Sequence, residues 1–299
     1  MALTAGCRTS LRAAALAIVI AAPGCVDIGA TDGLRYVEDE EVRFQVKGRP
    51  EVTLATFNGS IEVRAWDRAE VLVTVEKQAS SKDAAADIEV RTRQNGNQID
   101  IEARLKHFDQ HFSFGMRRSA RLIVSVPADS DVRATSGDGS IDVEHIAGRV
   151  ELRSGDGTIR GRDLSGDVRV QTGDGSISLE DIDGALDLGT GDGSIVATGR
   201  LSALRVRTGD GNLTIRAEPG SAATDDWSLS TGDGSVSLEL PADFDAEIDA
   251  RTGDGRVEVR GGFADTVERG KRSARGTLGA GGHAVRVRSG DGSITLRRS

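Results

Sequence analysis

Thr172-Gly173-Asp174-Gly175-Ser176-Ile177 is one copy of a phrase that recurs down the chain. Gly-Asp-Gly occurs eight times, with its aspartate at Asp138, Asp156, Asp174, Asp192, Asp210, Asp233, Asp254 and Asp291. The first five are spaced by 18 residues each, and the later gaps stretch to 23, 21 and 37. A fixed period of about 20 residues marks a stacked repeat architecture, in which one unit cannot bury its own apolar face.

Outward from the phrase, the residues alternate. Val168 and Val170 are apolar around Arg169 and Gln171, and Ile177 and Leu179 are apolar around Ser176, Ser178 and Glu180. A period of two on each side predicts two short strands per repeat, with a second turn at Asp183-Gly184. Read at 18-residue spacing, Val150, Val168, Leu186 and Leu204 form one column. Leu152, Val170, Leu188 and Val206 form another, and Ile141, Ile159, Ile177, Ile195 and Leu213 a third. In a β-solenoid these columns become ladders about 4.8 Å apart. With only 3% aromatic residues, the core is a narrow one of Val, Ile and Leu. The expectation is an all-β parallel β-helix of single-stranded coils. An antiparallel β-hairpin repeat array stays open, because Asp-Gly between alternating runs is also a hairpin signal.

The organisation divides as follows. Residues 1–24 read as a signal peptide, with Arg8 and Arg12 ahead of an apolar run from Leu16 to Ala22. Gly24-Cys25 matches a lipoprotein cleavage site imperfectly and makes Cys25 the candidate lipidation site. Residues 25–36 form a tether and 37–299 the solenoid. Within it lie irregular N-terminal coils at 37–135, regular 18-residue repeats at 136–215, and looser coils with a cap at 216–299. Phe57-Asn58-Gly59-Ser60-Ile61 is a weakened copy of the phrase, so the solenoid is expected to begin there. One helical turn is expected near Ser80–Ala86, a turn at Asn95-Gly96, and a last coil at Val285–Leu296. Its closing Arg297-Arg298-Ser299 would be a charged end that discourages strand pairing.

The order of landmarks is familiar. Asn58-Gly59-Ser60-Ile61-Glu62-Val63 and Trp66-Asp67 precede Val124-Ser125-Val126-Pro127-Ala128, and repeated Gly-Asp-Gly-Ser-Ile turns follow. The chain resembles the bacterial putative-adhesin family, also called the toastrack domain, over roughly residues 37–299. The resemblance implies a right-handed β-helix in the cell envelope and no catalytic residues. The unbroken 18-residue run departs from the family pattern.

Composition narrows the function. The net charge is −9 and the isoelectric point near 5.1, which argues against nucleic acid as a partner. Cys7 and Cys25 are the two cysteines, too few after signal cleavage for a disulfide or a redox pair.

The candidate chemistry starts with the ladder Asp138, Asp156, Asp174, Asp192 and Asp210. Stacked carboxylates repel by about 1 kcal/mol per neighbour pair in water and about 3 to 4 at an effective dielectric of 20. A calcium ladder is one way to offset this, but the Gly-Gly-x-Gly-x-Asp calcium repeat is absent. The plainer reading has glycine supplying positive φ and aspartate bonding its own turn, with no cofactor. His107 and His111 lack a third zinc ligand, and His145 and His283 stand apart in sequence. Phe108, Phe112 and Phe114 are a candidate partner contact or a cap on the core.

The expected function is a non-enzymatic envelope surface protein, a lipid-anchored binding or adhesion module for an envelope protein or surface glycan. Alternatives are a structural or stress-sensing scaffold that oligomerises, and a polysaccharide-active β-helix enzyme. The enzyme needs two differently perturbed carboxyls, which uniform repetition does not favour.

Overall fold

The computed structural model describes residues 36–106, 118–261 and 267–299. The regular repeats stack as parallel strands on two faces. The front face holds the strand before each Gly-Asp-Gly turn and the back face the strand after it. On the front, Val150 pairs with Val168, Val168 with Leu186, and Leu186 with Leu204. On the back, Ile141 pairs with Ile159, Ile159 with Ile177, Ile177 with Ile195, and Ile195 with Leu213. The predicted columns are therefore in-register ladders, and their side chains fill one continuous core. The strands Ile159–Thr172, Ile177–Gly189 and Ile195–Thr208 run unbroken from the back face round the second corner to the front. The fold is a parallel β-solenoid. Antiparallel pairs occur only toward its two ends, so the hairpin array is excluded for the repeats.

Positive φ is needed at the second corner. His145, Asp163 and Asp181 occupy one column at φ 62°, 51° and 56°, where Asp and His are tolerated better than most residues. Gly184 follows at φ 145°, and a β-carbon there would stand 2.1 Å from the Gly166 carbonyl oxygen.

The ends depart from sequence order. Strand Glu51–Thr56 lies between Gln98–Leu105 and Asp131–Ser136, and Ile61–Trp66 lies between Arg118–Pro127 and Ile141–Ala147. The coil at Phe57-Asn58-Gly59 thus stacks directly on the first regular repeat, with the described strands Gln98–Leu105 and Arg118–Pro127 of the intervening segment on its far side. Within that segment Glu70–Ala79 runs antiparallel to Arg118–Pro127 and Ile88–Asn95 to Gln98–Leu105, and Tyr36–Gln45 pairs antiparallel with Glu70–Ala79. The expected helical turn is present at Lys82–Ala86, capped by the Ser81 hydroxyl, which accepts from the Ala84 N–H at 3.2 Å. The Asn95-Gly96 turn joins the antiparallel pair Ile88–Asn95 and Gln98–Leu105. Among the described residues no helix is long and apolar enough to cross a membrane.

At the other end, the coil formed by Ala284–Ser289 and Ile294–Arg298 is inserted between two earlier ones. It pairs with Trp227–Thr231 and Val236–Leu240 on one side, and with Ala246–Thr252 and Val257–Gly261 on the other. This corrects the expectation of a charged terminal edge. Arg297 and Arg298 belong to an interior strand with backbone partners on both sides, because stacking requires matched register and not adjacency in sequence. Ser273–Leu278 closes this end antiparallel to Ala246–Thr252. Trp227 and Phe244, both fully buried, fill the wider core here with ring centroids 4.8 Å apart.

Candidate binding face

The Gly-Asp-Gly turns stack into one ladder along the edge of the solenoid. The Gly173 N–H donates to the Gly155 carbonyl and the Gly191 N–H to Gly173, each at 2.5 Å. The chain continues from Gly209 through Gly232 and Gly290 to Gly253, so Asp291 lies between Asp233 and Asp254. All eight aspartates are exposed.

The turn chemistry differs from the sequence reading in two ways. First, these glycines are absent from the positive-φ positions. They are needed because a β-carbon at Gly173 would stand 2.6 Å from the Gly155 carbonyl oxygen, and one at Gly175 2.1 Å from that of Gly157. Second, the hydroxyl two residues before the aspartate makes the turn, as a short local side-chain to backbone bond. Thr208 Oγ1 accepts from the Gly211 N–H at 3.3 Å and donates to the Gly193 carbonyl one coil away at 2.9 Å. Ser154, Thr231 and Thr252 repeat both bonds. Sequence reasoning passed over this Ser/Thr column, although it is visible as the residue ahead of each Gly-Asp-Gly.

No hydrogen bond reaches the side chains of Asp138, Asp156, Asp174, Asp192 or Asp210 among the described residues. Each leans toward the next coil, so that a methyl group at Gly191 would stand 3.3 Å from an Asp174 carboxylate oxygen. Among the described residues no group of three or more His, Cys, Asp or Glu side chains is gathered for a metal ion. His145 Nδ1 is 2.8 Å from Asp163, and His283 is 3.8 Å from Asp226. Cys25, His107, His111, Phe108, Phe112 and Phe114 lie outside the described residues.

The front face carries what the turns do not. Arg133, Glu151, Arg169, Asp187 and Arg205 form one outward column of alternating charge. Arg133 meets Glu151 at 3.1 Å and Arg169 meets Asp187 at 3.3 Å. Exposed pairs of this kind add about 0 to 1 kcal/mol each, so they fix pattern more than stability. At the neighbouring corner, Asp131 binds the Arg49 guanidinium and the Arg149 backbone N–H. Burial pushes the Asp131 carboxyl up, but these two bonds and the charges of Arg49 and Arg149 outweigh it and hold it below the usual carboxylate range.

Beside this column runs a groove of about 550 Å³. Ala185 and Ala203 lie where earlier coils carry Arg149 and Asp167, and these small side chains open it. Asp225 and Asp226 border the groove from the loop that interrupts the 18-residue period. The Ala284 N–H and the Arg286 guanidinium hold the Asp226 carboxyl below its ordinary range. The alternating column was open to reading at 18-residue spacing, since the signs change at every step.

Solved structures similar to the chain at low identity include these three. One is a putative cell adhesion protein from Clostridium sporogenes, at 13% identity, 88% of this chain, 100% of that chain and a TM-score of 0.27. A putative adhesin from Parabacteroides merdae has 8% identity, 86% and 95% coverage, and a TM-score of 0.48. A putative lipid binding protein from Parabacteroides distasonis has 13% identity, 87% and 96% coverage, and a TM-score of 0.40. No curated protein matches the chain. The family model described as Toastrack DUF4097 matches residues 51–297, which takes in the irregular coils, the regular repeats and the inserted coil, and the chain belongs to that family.

Proposed function

We propose that this protein is a non-enzymatic surface module of the cell envelope, exported and tethered through a lipidated Cys25, that binds an envelope protein or surface glycan with the front face of its solenoid. The observation that carries this reading is the open groove of about 550 Å³ on a face whose charged side chains are held in register by backbone pairing. Such a face presents fixed polar groups over several coils, as a binding surface requires. Glu151 and Asp187 in its charged column are each matched to an arginine, whereas acid–base catalysis needs two carboxyls in opposed environments.

A scaffold built by end-to-end stacking is less well supported. The outermost described strands include Ile88–Asn95, with Arg91 and Arg93, and Val257–Gly261, with Glu258 and Arg260. Charged edge strands discourage pairing with another chain.

The test uses the full chain expressed in a bacterium. Membrane fractionation should retain the wild type and release Cys25→Ser, and the purified protein should bind envelope polysaccharide or protein saturably without product formation. Glycan turnover, or release of neither form from the membrane, would overturn the corresponding part of the reading.

A further inference from the structure

The alternating column of the front face is interrupted at Thr53, beside the Glu151-paired Arg133, and again beyond Arg205, which has no such pairing. Beyond Arg205 the next outward residue is Ser228, where the pattern calls for a carboxylate. Alternation then resumes with Arg286, Asp249 and Arg275. In the adjacent column, which does not alternate in charge, Ser230 likewise lies between two arginines, Arg207 and Arg288. Two half-buried serines are therefore flanked by four arginines, one coil away on either side, a step of about 4.8 Å.

The four arginines are not equivalent. Arg286 is held by Asp226 at 2.6 Å, and Arg288 by Asp249 at 2.7 Å. Arg205 and Arg207 are exposed and have no ion pair or side-chain hydrogen bond among the described residues, and neither do the Ser228 and Ser230 hydroxyls. Elsewhere on this face Arg133, Arg149, Arg153 and Arg169 each have a carboxylate within 4 Å. The unmatched pair stands on a chain whose net charge is −9, so its attraction for anions is local.

We propose that Arg205, Arg207, Ser228 and Ser230 form a seat for the anionic oxygens of an acidic polysaccharide laid along the front face. This deepens the binding-module reading and rests on it. Guanidinium forks present paired N–H donors to a carboxylate, sulfate or phosphate, and the two hydroxyls add donors at the floor. An anion seated there supplies the charge missing at Ser228. The groove that starts at Arg205 and runs toward Arg133 leaves room for the sugars on one side. A polysaccharide fits better than a bilayer. Among the described residues Val196 is the one exposed large hydrophobic side chain, and it lies on the back face, so the front offers nothing apolar to enter lipid.

The experiment measures binding of the full chain to polygalacturonate, with neutral dextran and anionic phospholipid vesicles alongside. Saturable binding of polygalacturonate that weakens with salt is expected, with no binding of dextran. The double variant Arg205→Gln, Arg207→Gln should bind at least about tenfold more weakly, as loss of charge-assisted contacts implies. Ser228→Asp restores the alternation and should abolish binding while keeping or raising the melting temperature, which separates lost binding from lost fold. Equal binding by wild type and both variants, or none by the wild type, overturns the seat. Binding of another envelope component that neither variant alters overturns the seat and leaves the broader reading standing. Preference for vesicles over polygalacturonate overturns the choice of ligand.

Discussion

The coils from Val150 to Thr208 and those from Trp227 onward are built from the same turn, yet they are assembled by different rules. In the central array each coil lies on the one before it in sequence, 18 residues back. Toward the C-terminal side, strand Ala284–Ser289 separates Trp227–Thr231 from Ala246–Thr252, and on the N-terminal side Glu51–Thr56 meets Asp131–Ser136 across a long excursion. Register is a local property of the turn, carried by the Ser/Thr hydroxyl and two glycines. Order in the stack is a global property, set by which coils find partners for both faces.

The largest effect should come from removing residues 284–298. Buried Val285, Val287, Ile294 and Leu296 would be lost, and the coils on either side would each be left with an open face. Hydrogen exchange should show lost protection from residue 227 onward, with residues 131–208 still protected, because solenoid coils contact only their neighbours. Uniform loss along the whole stack would erase the distinction between the two regions.

Within the array, Gly175→Ala and Gly189→Ala separate stacking glycines from permissive ones. The first places a methyl group 2.1 Å from the Gly157 carbonyl oxygen and should cost about 3 kcal/mol in denaturant unfolding. At Gly189 nothing lies within 4 Å, and the change should stay within about 0.5 kcal/mol. Equal effects would mean that the close approach of neighbouring turns is not what demands glycine.

Thr208→Val keeps the shape and removes the hydroxyl that accepts from Gly211 within its turn and donates to the Gly193 and Gly191 carbonyls of the neighbouring coil. A loss of about 1 to 3 kcal/mol is expected by the same unfolding measurement, since the Gly193 carbonyl and Gly211 N–H lose a partner.

The smallest effect lies at the seam between the excursion and the array. Asp142 sits between Glu62 and Arg160 on the back face, so like charges meet where the two regions join. Burial first, and then Glu144 and Glu62, push its carboxyl above the ordinary value. The folded state therefore keeps this proton to higher pH than the unfolded chain does. Stability falls as pH rises through that window, and the penalty is complete at neutral pH. Asp142→Asn should gain about 0.5 kcal/mol at pH 7, and the gain should vanish on acidification below the carboxylate range. A gain that persists in acid would point away from charge.

The fold of the array was legible because its period is written in residues that cannot be exchanged without a clash. The stacking order was not, since Val285 and Val287 carry the same alternating pattern as any other coil and nothing local says which neighbours they take. The aspartates drew attention by repetition, but repetition marked the turn, and the hydroxyls ahead of them do the bonding. The charged column of Arg133, Glu151 and Arg169 was equally periodic. It was overlooked because outward residues were read as polar spacers and not by sign.

The inserted coil also orders events in time. A chain made from its N-terminus can lay down 150–208 coil by coil as it emerges. Residues 246–261 cannot be seated until 284–298 exist to lie beneath them, because their parallel partners are in that later segment. That end of the molecule is closed by a keystone delivered late. A growing polypeptide therefore keeps this region unlocked until residues 284–298 have been made, since these long-range parallel pairings form only after both partners exist.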